Sequence, residues 1–224
     1  MTIGIAVTTY KRPRHLQHWY DMINAYTPER NVKVFMSSDT QQRRGVAYRK
    51  NECLRALQHC DYIFLFDDDC FPIKKGWVDF FIDAYKASGN HHFLYLKQTA
   101  TIKKLIQNAS IDVFDNCGGC FMFLTKEAVK AVGGFNHDYG YYGFEHAGYT
   151  NRVHQAGLTP AGMYLCPEGA GEYIYAMDYD THLQYNQQLK HAPSMIDEIQ
   201  NVEGYVASNR GKYFEDIKTI HQPL

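Results

Sequence analysis

"YIFLFDDDC", residues 62–70, places three consecutive carboxylates, Asp67, Asp68 and Asp69, directly behind five apolar or aromatic residues. Unbroken apolarity over so short a run predicts a strand buried on both faces, as in a parallel sheet covered by helices. Three like charges at its end are costly. At about 4 Å and an effective dielectric of about 20, each close pair repels by about 4 kcal/mol. Water screens that repulsion in an open turn; at the lip of a cleft, a cation would have to offset it. In extended chain Asp67 and Asp69 share a side and Asp68 points away. Two hard oxygen donors on one side suit Mg2+ or Mn2+, which commonly bridges protein carboxylates to substrate phosphates. The plainer reading of the same residues is a solvated acidic turn ahead of Pro72.

The flanking sequence alternates strand and helix. "IGIAVTT" (3–9) is a β-rich run, and "KRPRHLQHWYDMINAY" (11–26) follows with Leu16, Trp19, Tyr20 and Ile23 at helical spacing. "VKVFMSS" (32–38) predicts a second strand, and "GVAYRKNECLRALQHC" (45–60) a second helix with Val46, Cys53, Leu54 and Leu57 inward. After the acidic strand, "KGWVDFFIDAYKAS" (75–88) predicts a helix, and "FLYL" (93–96) and "FMFL" (121–124) predict strands. This βαβαβ opening implies an α/β fold with a mostly parallel sheet flanked by helices. Ligands of such sheets bind beyond the carboxyl ends of the strands, where Asp39 and the acidic triplet both fall.

Composition narrows the partners. A chain of 224 residues, 45% hydrophobic, suits a single domain with a sizeable core. A net charge of -1 and a pI near 6.8 give no global basic field for nucleic acid. No apolar run approaches the roughly 20 residues of a membrane span. The first residues, "MTIGIAVTTYKRP", do not read as a signal peptide, so the expected setting is cytoplasmic, as in a bacterial or virus-infected cell. Cys53, Cys60, Cys70, Cys117, Cys120 and Cys166 are then expected as reduced thiols. "CGGC" (117–120) precedes an apolar run rather than opening a helix and has no second pair to complete a zinc site, which favours structural thiols.

Taken in order, these segments resemble the GT-A (Rossmann-like) glycosyltransferases, especially the family 2-like group and its galactosyl- and N-acetylgalactosaminyl-transferase relatives. "VTTYKRP" looks like their first-strand signature, "SSDT" like the second-strand Asp, and "GVAYRKNECLRAL" like the Gly…Arg-Asn…Ala helix with Lys50-Asn51 in the Arg-Asn place. "FLFDDDCFP" looks like the DxD strand. The run from "CGGCFMFL" through "GGFNHDYGYYGFEHAGYTNRVHQAGL" looks like the Gly-rich strand, the Gly-Gly-Phe turn and the Glu-containing helix. The resemblance covers roughly residues 3–165 of what is read as one domain, residues 1–224. About 1–115 would be its nucleotide-binding half and about 116–224 its acceptor and catalytic half.

The resemblance implies a nucleotide-sugar donor, a UDP-sugar for preference. Thr9, Tyr10 and Arg12 would line the base and ribose pocket, and Asp39 would accept from the base imide. Arg49 or Lys50 would face the diphosphate, with Gly118 and Gly119 also on the donor side. Asp68 would touch ribose or the donor sugar, and Asp69, with Asp67, would hold Mn2+ or Mg2+. A late His is expected as a further ligand; His182 is the choice and His221 the competitor. Inverting relatives commonly carry Glu-Asp where this chain has Glu145-His146, so the acceptor is deprotonated by His146 or Glu145, or Glu145 only orients a sugar hydroxyl as in retaining relatives. The acceptor is left open among a glycan, a lipid-linked sugar and a modified nucleobase. A sugar nucleotidyltransferase and a non-catalytic nucleotide-sugar-binding module are the alternatives.

Overall fold

The computed structural model describes residues 1–27, 31–107, 110–179 and 202–224. Strand β1 (Ile3–Thr9) leads to α1 (Pro13–Tyr26), β2 (Val32–Ser38), α2 (Val46–Leu57) and β3 (Tyr62–Asp67). There follow β4 (Cys70–Pro72), α3 (Trp77–Ser88), β5 (His92–Leu94), β6 (Lys104–Gln107), β7 (Ile111–Phe114), β8 (Phe121–Thr125) and α4 (Lys126–Val132). The chain continues through α5 (Glu145–Gln155), β9 (Tyr164–Pro167), β10 (Ile174–Ala176) and a final helix, α6 (Val202–Asp216).

The central sheet has the order β2-β1-β3-β8-β5. β2, β1 and β3 run parallel, whereas β8 is antiparallel to both of its neighbours. The sheet is therefore mostly parallel, as the alternating pattern predicts. β3 is buried from Ile63 to Phe66, and two of these four side chains are aromatic. Phe64 meets Trp77 edge-on at 4.8 Å and Phe66 meets Phe121 at 4.9 Å, the geometry that aromatic quadrupoles favour. Helix starts follow local chemistry. Pro13 opens α1, where its missing N–H costs nothing, and the Thr125 hydroxyl caps α4 by accepting from the Ala128 N–H.

Two smaller sheets, β10-β4 and β6-β7-β9, complete the strand set. Two residues separate β3 from β4, and these, Asp68 and Asp69, form a turn rather than extended chain. The alternation expected for the triplet thus stops at Asp67. Register places Thr9 opposite Ser38 and Thr8 opposite Asp67, so the carboxyl ends of β1, β2 and β3 finish along one edge. Among the described residues no helix is long and apolar enough to cross a membrane.

Candidate functional site

The edge formed by β1, β2 and β3 gathers the predicted residues into two charged clusters. In the first, Asp68 and Asp69 converge on Arg12, whose Nη1 lies 3.0 Å from Asp68 Oδ1 and 2.6 Å from Asp69 Oδ2. Thr9 donates its hydroxyl to Asp68 Oδ2 at 2.5 Å, and Thr8 donates to Asp67 Oδ1 at 2.9 Å. Burial, then the neighbouring Asp69 charge, pushes the Asp68 carboxyl up to about 7 against the pull of Arg12 and Thr9. Burial works against the Arg12 charge, but the two aspartates outweigh it and hold the guanidinium ionised.

The second cluster is built on Lys50. Its side chain is fully enclosed, with Nζ 3.0 Å from the Gly119 carbonyl, 3.4 Å from Glu145 Oε1 and 3.6 Å from Asp67 Oδ1. Burial opposes the ammonium, yet Asp67 and Glu145 together raise its pKa. Burial also lifts Asp67 above the usual carboxylate range, with Lys50 pulling the other way. Lys50 therefore ties the acidic strand end to the start of α5, as the cation that Asp67 and Glu145 share.

Glu145 is the first residue of α5 and 3% exposed. Its Oε2 accepts from the Gly143 N–H at 3.1 Å, and its Oε1 lies 3.2 Å from His146 Nδ1. Burial disfavours the Glu145 charge, but the charges of His146 and Lys50, the hydrogen bond to His146 and a bond to its own backbone win, and its pKa falls well below the usual value. The His146 imidazole moves the other way: desolvation opposes its charge, and Glu145 overcomes that to raise it well above its ordinary 6.5. The pair is thus a carboxylate holding an imidazolium, with His146 the more exposed partner at 19% against 4%. Among the described residues, the non-glycine positions with positive φ are Lys11 (+52°) and Phe144 (+68°). Both border this edge, and strain of that kind persists where surrounding contacts over-determine it.

The glycines of "CGGC" admit these side chains. A Cβ on Gly119 would lie 2.6 Å from His146 Cγ, and one on Gly118 would collide with the Tyr179 hydroxyl. All six cysteines are unbridged and buried, as expected of structural thiols. Cys120 hydrogen-bonds Cys70, and Cys117 lies against His146.

On the β2 side, Asp39 is 6% exposed and accepts from the Arg44 N–H at 2.6 Å, the Gly45 N–H at 2.9 Å and Arg49 Nε at 2.9 Å. A carboxylate has about four acceptor positions, so little capacity is left for a base imide while these bonds stand. Arg49 also pairs with Glu52 at 2.8 Å. The Arg43 guanidinium carbon lies 4.6 Å from the ring centres of both Tyr10 and Tyr141, a cation–π layer beside the end of β1.

Of the metal candidates, Asp67 and Asp69 stand at the edge, whereas His182 lies outside the described residues. His221 is exposed and lies against Gly133, with its Nε2 3.1 Å from where a Cβ on that glycine would stand. Sequence reasoning passed over Asp178, which follows β10. The Met177 N–H bonds to the Asp69 carbonyl at 3.0 Å, and the Asp69 charge, then desolvation and Asp67, pushes the Asp178 carboxyl up to about 7. The signal was "MDYD", inside the segment chosen for its histidine. Among the described residues, no group of three His, Cys, Asp or Glu side chains is placed to hold a metal ion by itself.

No protein-family model matches the chain, and no curated protein matches it. Solved structures do. Mannosyltransferase PcManGT from Pyrobaculum calidifontis, in complex with GDP-Man and Mn2+, superposes with a TM-score of 0.53 at 14% identity, over 70% of this chain and 53% of that one. S. aureus TarS 1–349 in complex with UDP gives 0.52 at 12% identity, over 70% and 56%. GalNAc-T7 with UDP, GalNAc and Mn2+ gives 0.56 at 10% identity, over 71% and 41%. The chain spans about half the length of the first two. At these identities the likeness establishes the fold, and that fold is GT-A.

Proposed function

We propose that this chain, which has the GT-A glycosyltransferase fold, transfers a sugar from a nucleotide-sugar donor, a UDP-sugar for preference, to an acceptor hydroxyl with a divalent cation at the acidic edge. The observation that carries the reading is the buried Asp67–Lys50–Glu145 chain, which links the acidic strand end to the helix start where an acceptor would be handled. The donor set fits the ion. Asp67 and Asp69 offer hard oxygens, and Mg2+ or Mn2+ is commonly held by one or two carboxylates with water and substrate phosphates supplying the rest. Bound there, the cation supplies Lewis-acid neutralisation of the charge that develops on a departing nucleoside diphosphate.

The chain's own groups do the rest. Tyr10 and Thr9 are assigned to the base and ribose end, where Asp39 holds the Arg44–Gly45 backbone and Arg49 in place, and Asp68 to a ribose or sugar hydroxyl. Lys50, enclosed between Asp67 and Glu145, holds the donor and acceptor sides in register rather than meeting phosphate directly. His146 faces the acceptor and Glu145 fixes its ring. The imidazole accepts the acceptor's proton after releasing its own, which favours inversion at the anomeric carbon. Because Glu145 raises the imidazole pKa, the acid limb of kcat/KM is expected above pH 6.5, the ordinary value.

The test is release of UDP from a panel of UDP-sugars with Mn2+ and acceptors of the three chemistries, glycan, lipid-linked sugar and nucleobase-containing polymer. Product mass identifies the acceptor, and NMR of the product reads the anomer. Asp69→Asn should abolish turnover. Pyrophosphate release instead of UDP would point to nucleotidyl transfer, binding without turnover to a binding module, and a retained anomer would overturn the role of His146.

A further inference from the structure

The acidic edge carries a cation of its own. One nitrogen, Arg12 Nη1, serves Asp68 at 3.0 Å and Asp69 at 2.6 Å, which places a single positive charge where two carboxylates meet. Arg12 is unlike Lys50 in one respect: 18% of its side chain is exposed while that of Lys50 is enclosed, so the guanidinium has a way out. The loop that carries it is short. β1 ends at Thr9 and Pro13 opens α1, which leaves residues 10–12 between the two elements. Within those three residues Lys11 is held at φ +52°, a conformation L-residues adopt when other contacts compensate. The two ion pairs of Arg12 are contacts of that kind.

We infer that Arg12 is a resident counter-cation, a positioning residue that competes with the divalent ion for Asp69 and moves to the donor's diphosphate when that ion arrives. The inference rests on the metal-dependent reading above. Thr9 still donates to Asp68 after the exchange, so Asp69 is the carboxylate that must find a new partner at once. Withdrawing Arg12 from a nearly buried carboxylate without a replacement would leave an uncompensated charge. Withdrawing it together with ion entry does not, and the diphosphate offers the guanidinium a bidentate anion in exchange. The ion alone must then displace an arginine, whereas the ion with a nucleoside diphosphate exchanges one ion pair for two. Nucleotide and cation should therefore bind with positive, reciprocal coupling.

The experiment measures Mn2+ binding directly, by loss of the free-ion electron paramagnetic resonance signal, for the wild-type chain and Arg12→Met, with and without UDP. The expected result has two opposite arms. Without nucleotide, Arg12→Met binds Mn2+ about tenfold tighter than wild type or more. UDP strengthens wild-type Mn2+ binding by about tenfold or more beyond its effect on Arg12→Met, which keeps only the coupling that direct phosphate–metal contact supplies. A purely structural arginine would move both arms the same way. Equal or weaker Mn2+ binding by Arg12→Met overturns the inference and leaves the metal-dependent reading standing. No Mn2+ binding by either protein, with or without UDP, overturns both. Circular dichroism checks the fold. If Arg12→Met does not fold, Arg12→Lys is read in its place; Mn2+ binding tighter than wild type with weaker UDP coupling supports the exchange, and wild-type values refute it.

Discussion

Lys50→Met replaces the enclosed ammonium with an apolar side chain of similar length. The nitrogen lies 3.4 Å from Glu145 and 3.6 Å from Asp67, and at an effective dielectric of about 20 each attraction is about 5 kcal/mol. Most of that is cancelled by the cost of desolvating the ammonium. What the substitution leaves is a buried Glu145 held by His146 alone and an Asp67 about a third exposed, and breaking a buried pair costs up to about 3–5 kcal/mol. For a chain of 224 residues, each kcal/mol moves the melting temperature by about 2–4 °C, so a drop of about 6–20 °C is expected. Calorimetry or dye-monitored melting at neutral pH reads it. The double variant Lys50→Met/Glu145→Gln separates charge from packing: with one carboxylate neutralised, its loss should fall short of the summed single losses by about 1 kcal/mol or more. A melting temperature within about 3 °C of wild type, or strictly additive losses, would refute the claim that Lys50 is held for its charge.

The remaining expectations concern the neighbours of that lysine. His146→Gln should change stability in a pH-dependent way. The raised imidazole contributes fully below its ordinary 6.5 and fades as pH rises through its folded value, while the depressed Glu145 contributes above 4.5 and is lost on acidification. The difference in denaturant-unfolding free energy between wild type and His146→Gln should therefore be largest between those two values and shrink toward alkaline pH; a flat difference refutes the ion pair. Gly119→Ala places a Cβ 2.6 Å from His146 Cγ and 2.7 Å from Nδ1. Overpacking of that kind costs about 1–3 kcal/mol, and kcat should fall while Mn2+ binding is kept. Asn51→Ala removes the amide that donates to the Phe135 carbonyl at 2.8 Å and accepts from its N–H at 2.7 Å. Two buried backbone groups left unpaired predict a loss of about 2–4 kcal/mol by urea unfolding; a loss below about 1 kcal/mol would mean the turn rearranges.

How much of this was legible depended on the range of the interaction involved. β2 spans the predicted 32–38, and the helices end within a few residues of expectation, because strand and helix periodicity are properties of neighbouring residues. The position of the acidic triplet at the sheet edge followed from the same local patterns and the rule for parallel sheets. Its internal geometry did not, since alternation assumes extended chain and the chain turns at Asp68. Lys50 could be placed on an inward helix, but its pairing with Glu145 joins residues 95 apart, and no local signal reports that. Asp178 was missed for a similar reason. It reaches the triplet through the antiparallel register of β10 on β4, which pairs Ala176 with Cys70.

The same separation of ranges explains why the end of the chain matters to a site built mainly from its first half. Asn209, 1% exposed on α6, donates through one amide to the carbonyls of Tyr139 at 2.8 Å, Tyr142 at 2.8 Å and Gly143 at 3.1 Å. Those residues form the loop whose last member, Phe144, is forced to positive φ immediately before Glu145. Asp216 at the end of the same helix accepts from the Tyr139 hydroxyl at 2.8 Å and lies 3.6 Å from Arg152, which donates to the carbonyls of Val132 and Gly134 at 3.0 and 2.8 Å. Gly134 in turn abuts Asn51, the residue next to Lys50. A polar path thus runs from α6 through the Gly-Gly-Phe turn and the tyrosine loop to the Lys50 and Glu145 members of the Asp67–Lys50–Glu145 chain. The strain at Phe144 is therefore maintained by contacts from α6, and Glu145 owes its orientation to residues that no motif around it would name.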